Sequence, residues 1–106
     1  MTMNYKLVVT VPLTHADIVR EAIGDVGGGK VGNYSHCSFS SRGQGRSRPQ
    51  TGAHPYLGEI GKTETIEEER IEISVGKIEL HGVIDAIKKV HPYDEVAIDV
   101  YPLQDY

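Results

Sequence analysis

Between Tyr5 and Val11 apolar and polar positions alternate, with Tyr5, Leu7, Val9 and Val11 on one side and Lys6, Val8 and Thr10 on the other. A period of two predicts a half-buried strand. Pro12 ends it. Thr14 is a candidate N-cap with Asp17 at N3, and Ile18, Val19, Ala22, Ile23 and Val26 recur on one helical face until the glycines at 27–29. A second strand is predicted over Ser35–Arg42, with Cys37 and Phe39 inward and His36, Ser38 and Ser40 outward. Residues 43–63 hold Gly43, Gly45, Pro49, Gly52, Pro55, Gly58 and Gly61 and are expected to form an irregular connection. Strand three is the clearest alternation, Arg70 to Val75, with Ile71, Ile73 and Val75 inward. Gly76 ends it. Leu80, Val83, Ile84, Ile87 and Val90 then predict an amphipathic helix, with Lys88 and Lys89 near its negative end and Pro92 beyond its stop. Val96–Leu103 reads as a fourth strand.

The order βαββαβ predicts an α+β, ferredoxin-like domain, an antiparallel four-stranded sheet carrying both helices on one face. The other face is left open. By alternation it would carry Lys6, Val8, Thr10, His36, Ser38, Ser40, Arg70, Glu72, Ser74, Asp99 and Tyr101, a set too polar for a dry core. Water or another subunit must cover it. The run Glu64, Glu67, Glu68 and Glu69 before strand three reads as a solvated face.

Composition narrows the picture. A chain of 106 residues has room for one domain, and domains this short bury only about two-thirds of the surface of their unfolded chain. With no Trp and one Phe, aliphatics such as Val8, Ile23, Ile71, Ile73, Ile84 and Ile98 must fill the core, so a homo-oligomer is expected to supplement it. Lone Cys37 makes no internal disulfide, and neither an apolar leader nor a long hydrophobic run is present. A soluble cytoplasmic protein without membrane contact is expected. The net charge of −4, with arginines concentrated at Arg42, Arg46 and Arg48, argues against general nucleic-acid affinity.

Candidate chemistry is sparse. Gly24 to Lys30 spells most of a phosphate-binding loop, but Val31 replaces its hydroxyl and the segment leaves a helix instead of opening one. The expected role is a helix cap and turn, whose glycines could still form an anion-holding nest. Two copies of one tripeptide, His54-Pro55-Tyr56 and His91-Pro92-Tyr93, place imidazoles at rigid backbone corners, because proline fixes its own φ and drives the preceding residue out of the helical region. His15 and His81 are expected at the surface. No metal-ligand spacing of the HxH, CxxC or HExxH kind is present, and no Gly-x-Ser-x-Gly elbow. Cys37 and His36, adjacent on a strand, should face opposite ways, which makes Cys37 a core residue instead of an activated thiol.

Three strings taken together carry a resemblance: Gly32 to Phe39, then Pro55-Tyr56-Leu57-Gly58-Glu59-Ile60-Gly61, then His91-Pro92-Tyr93-Asp94-Glu95 leading to Asp99-Val100-Tyr101-Pro102-Leu103. In this order they resemble the YqfO-type insert domain of the dinuclear-metal-centre hexamer proteins, the family named for an NGG-interacting factor, and its stand-alone bacterial relatives. Asp94 stands where Glu is more usual. The insert looks like the PII and CutA superfamily, whose members commonly form trimers with their sheets facing inward. The resemblance places the family's two-metal site in flanking domains, so dimetal hydrolase activity does not transfer to these residues.

The leading expectation is therefore a non-enzymatic oligomeric binding or regulatory module, a trimer, for a small ligand or a divalent metal ion. Its ligand-binding candidates are Asn33, Tyr34, His36, Tyr56, Gly58, Glu59 and Tyr93, and its metal candidates His54, His91, Asp94 and Glu95. His36, His54 and His91 are expected to contribute to one polar region. An enzyme alternative uses His91 or His54 as general base, oriented by Glu59 or Glu95 across a subunit interface. A structural partner of a larger assembly, anchored by Leu57 and Ile60, is the third.

Overall fold

A computed structural model describes residues 3–105. β1 (Asn4–Pro12) is followed by a 3-10 turn (Leu13–His15), α1 (Ala16–Asp25), β2 (Phe39–Ser47), β3 (Glu64–Gly76), α2 (Lys77–Val90) and β4 (Ile98–Pro102). The strands form one antiparallel sheet in the order β2-β3-β1-β4. Leu7, Val9 and Val11 of β1 and Ile71, Ile73 and Val75 of β3 pack against Val19 and Ile23 of α1 and Val83 and Ile87 of α2. This is the expected ferredoxin-like arrangement. Truncating a fully buried member such as Leu7 or Ile87 to Ala would cost about 2–5 kcal/mol.

Glycine closes α1 through its main chain. The Gly27 amide donates to the Gly24 carbonyl (3.1 Å) and the Gly28 amide to that of Ile23 (3.0 Å), the two bonds of a Schellman motif, with Gly27 at φ 97°. Gly29 donates to Ser74 (2.8 Å). The amides at 27–29 are thus consumed by carbonyls, and the anion-nest expectation fails for that reason. Thr14 does not cap α1 either: the N-cap is His15, without a side-chain bond, and the Thr14 hydroxyl lies 2.8 Å from His15 Nδ1.

The second strand departs most from expectation. It starts at Phe39 and runs through Gly43 and Gly45, while β3 begins at Glu64, so the irregular connection shrinks to 48–63. An edge strand tolerates glycines that a central one would not. Pairing of Ser40 with Ile71 and Phe39 with Glu72 puts Ser40 on the core side and Phe39 on the open face, 67% exposed. Cys37 lies ahead of the strand, half-buried, instead of in the core. With only two apolar residues to set its phase, the segment takes the phase dictated by β3, and a one-residue slip exchanges every side chain between faces. The glutamates at 64–69 lie within β3. Glu69 faces α1, where it is buried and ion-paired to Arg20, which also meets Asp17. Glu68 is buried on the opposite face.

β1 pairs with Glu68–Gly76 of β3, whereas β2 pairs with Glu64–Glu72. Residues 44–47 and 64–67 therefore continue past the sheet as a two-stranded ribbon, and the molecule is long, 47 × 23 × 22 Å.

Candidate functional site

The corner after α2 is built from its own side chains. His91 is the C-cap, with the extended backbone that a following proline imposes (φ −75°, ψ 136°). Its Nε2–H donates to the Thr10 carbonyl at 2.8 Å, and its Nδ1 accepts from the Tyr93 amide at 3.2 Å. Those two bonds select one neutral tautomer. Burial, which strips water from the cation, holds this imidazole below its usual value, against the opposing pull of Thr10 and Glu68. The Tyr93 ring lies 4.9 Å from that of His91, and its hydroxyl donates to Glu68 Oε2 at 2.8 Å. Burial and the Glu68 carboxylate raise this hydroxyl above its ordinary value of 10. Gly45 on β2 leaves room for the acid, because a Cβ there would overlap Glu68 Oε1.

The first tripeptide meets the second. The His54 amide donates to Asp94 Oδ2 at 2.9 Å and holds that carboxyl below its usual range. Tyr56 stands between His15, edge-on at 5.6 Å, and Tyr93, at 6.3 Å. His15 is accordingly half-buried, not a free surface residue. Between these corners and the end of the β2–β3 ribbon lies a cleft of about 600 Å³. Tyr56, Leu57 and Pro55 form one wall, Tyr93, Asp94 and Glu95 another, and Gln44 to Gln50 the third, with Thr10, Ile66 and Glu68 at its base. Arg46 and Arg48 contact only the neutral groups Gln44 Oε1 (3.1 Å) and Thr63 Oγ1 (2.8 Å), and neither is ion-paired among the described residues.

Of the sequence candidates, Tyr56, Tyr93, Asp94 and Glu95 line this cleft. Gly58 and Glu59 do not. Gly58 serves the backbone at φ 99°, and Glu59 pairs with Lys62 at 3.0 Å. His54 contributes its amide, while both ring nitrogens of His91 face the main chain, so neither Glu59 nor Glu95 orients His91. Among the described residues, His54, His91, Asp94 and Glu95 do not converge within 4.8 Å of one another. Asn33 sits in a tight turn closed by reciprocal Val31–Tyr34 bonds, and Tyr34 is 75% exposed. His36 is in a loop, not on the open face. Gly29, which accepts from the Cys37 amide and donates to Ser74, ties that loop to the Lys6 end of β1, while the cleft lies at the Thr10 end. Within one chain the three histidines do not share a region. Glu68, Arg46 and Arg48 also line the cleft, although in the sequence Glu68 reads as part of a solvated face and the arginines only as a local concentration of charge. Glycines two apart, at 43 and 45, carried a usable signal: a strand face stripped of side chains beside a larger neighbour.

No family model matches the chain. It is 50% identical over 99 residues to the GTP cyclohydrolase 1 type 2 homolog of Halalkalibacterium halodurans, covering 93% of this chain and 27% of that protein. The Bacillus subtilis homolog is 46% identical over 99 residues, with 26% of its length covered. The chain thus spans about a quarter of the curated relatives it matches. Among solved structures, a Bacillus cereus protein related to NIF3 superposes at a TM-score of 0.85 with 48% identity, over 98% of this chain and 26% of that one. CutA from Archaeoglobus fulgidus (TM-score 0.69, 17% identity, 98% and 87% covered) and the B. subtilis GlnK–ATP complex (0.65, 16%, 95% and 82%) share the fold alone. With the βαββαβ sheet in place, the chain is similar, at about half identity, to a segment making up about a quarter of the NIF3-related GTP cyclohydrolase 1 type 2 homologs, the resemblance its three strings carried, and it has the fold of CutA and GlnK.

Proposed function

We propose that the chain is a self-associating, non-catalytic module that binds a small organic anion in the cleft between its two His-Pro-Tyr corners. The reading rests on one juxtaposition: tyrosines from both tripeptides flank a cleft whose third wall carries two arginines that, among the described residues, have no acidic partner. A cavity of this size suits a small molecule, and apolar walls with a few polar groups are the usual composition of such sites. Guanidinium groups bind carboxylate or phosphate through paired donors. Self-association is supported by Phe39, a large aromatic exposed on the uncovered sheet face beside Glu72. The trimer is the form suggested by the PII/CutA likeness.

Native mass spectrometry of the purified chain, with and without nucleotides, sugar phosphates and dicarboxylates, tests both parts. A trimer carrying one adduct per subunit, with the adduct lost in Arg48→Ala and Tyr56→Ala, is the expected result. A monomer at micromolar concentration, with no adduct from any of these anions, overturns the reading.

A further inference from the structure

At the other end of the sheet, among the described residues, Glu21, Asp25 and His36 form a group of ligand atoms that all lie within 4.8 Å of one another. Glu21 and Asp25 are four apart on α1, so the helix aims both carboxylates from one face at its C-terminal end. No basic residue occupies the last turn, and neither carboxylate is ion-paired with Lys or Arg among the described residues. The carbonyl end of a helix itself favours positive charge.

His36 arrives from the loop before β2. Among the described residues it is the one non-glycine residue with a left-handed φ, 59°, and its ring lies so close to α1 that a Cβ at Gly24 would overlap it. Helix termination does not require this placement, because the Schellman bonds already close α1. Its Nδ1 is 2.9 Å from Ser35 Oγ and its Nε2 is 3.0 Å from Asp25 Oδ1.

We propose that Glu21, Asp25 and His36 form a surface site for a divalent transition-metal ion such as Zn²⁺ or Co²⁺. One imidazole with two carboxylates is a mixed nitrogen and oxygen set, whereas Mg²⁺ and Ca²⁺ take oxygen alone. Adjacent ligands of a tetrahedral ion bound at about 2.0 Å stand about 3.3 Å apart, close to the separation already present between His36 and Asp25. On binding, the ion takes the place between Nε2 and Asp25 Oδ1, and the single proton of the neutral imidazole is carried on Nδ1 instead, an exchange of tautomer through solvent with no net loss of a proton. Nδ1–H then donates to Ser35 Oγ, which fixes the ring and its tautomer. Three protein ligands leave the remaining coordination to water. The site is separate from the cleft, so either reading can fail without the other.

Calorimetric titration of the untagged chain with Zn²⁺ at neutral pH tests it, together with the visible absorption of bound Co²⁺. One ion per chain is expected. His36→Ala and Glu21→Gln should each weaken binding by about tenfold or more, while His54→Ala leaves it unchanged. Absence of Zn²⁺ binding, or full affinity in His36→Ala, overturns the proposal. Glu21→Gln is isosteric and exposed, so if His36→Ala fails to fold, undiminished affinity in Glu21→Gln is itself decisive against the site.

Discussion

Glu68 and Gly45 occupy one volume: the Glu68 carboxylate lies over the α-carbon of Gly45, where a methyl group would overlap Oε1. The acid is 9% exposed and is held from its other side by the Tyr93 hydroxyl, so it cannot swing into water without breaking that bond. Gly45→Ala should therefore destabilise the chain by about 1–3 kcal/mol, the range for a lost buried hydrogen bond or an overpacked contact. A double-mutant cycle checks the cause. In a Glu68→Ala background the cost of Gly45→Ala should largely disappear; equal costs in both backgrounds refute it.

Tyr93→Phe removes the donor and leaves the buried acid short of a partner while the ring stacking survives. The expected loss is about 1–3 kcal/mol in urea unfolding, without a change in the dependence on urea concentration. An unchanged midpoint would mean that water substitutes for the hydroxyl.

His91 gives the fold a pH dependence whose sign is fixed by burial. Its folded pKa lies below the ordinary 6.5, so below pH 6.5 the unfolded chain binds the extra proton more readily. Its contribution is complete above that value and is lost as pH falls toward the lowered folded pKa. Asp94, held below 3.8, titrates in a more acidic range. Stability measured at about pH 8 and about pH 5 should show the decline in the wild type and a smaller one in His91→Gln. Equal declines in the two proteins would remove His91 as the cause.

If a second subunit covers the open face, Phe39→Lys or Glu72→Lys should shift the oligomer toward monomer while the helix content is kept. Light scattering and circular dichroism report the two quantities. Unaltered mass in both variants would place the interface elsewhere.

Both helices and β1 could be read from the sequence because many apolar residues fix their phase: among the described residues eleven buried side chains form the core, and the first and third strands supply six of them. β2 could not. Its glycines suggested a loop, and its only strong apolar residue, Phe39, faces away from the core. The two tripeptides bring Tyr56 and Tyr93 to the cleft, whereas His91 spends both ring nitrogens on the backbone that it anchors, a use that a sequence motif does not display. Glu68 was hidden for a different reason. A carboxylate in an acidic run looks solvated until its cross-strand neighbour is known to be Gly43, with Gly45 beside it.

The unequal pairing of β3 divides the molecule by its resistance to local opening. Residues 68–72 have a partner on each side, but 64–67 lean on β2 alone, and β2 residues 44–47 have no neighbour beyond them. Amide exchange should be slowest in the doubly paired stretch and fast in the ribbon, where separation needs no global unfolding. The cleft draws one wall from that ribbon. Its mouth can therefore breathe while its base at Thr10 and Glu68 stays fixed, and an occupant would reveal itself by slowed exchange at 44–47 and 64–67 alone.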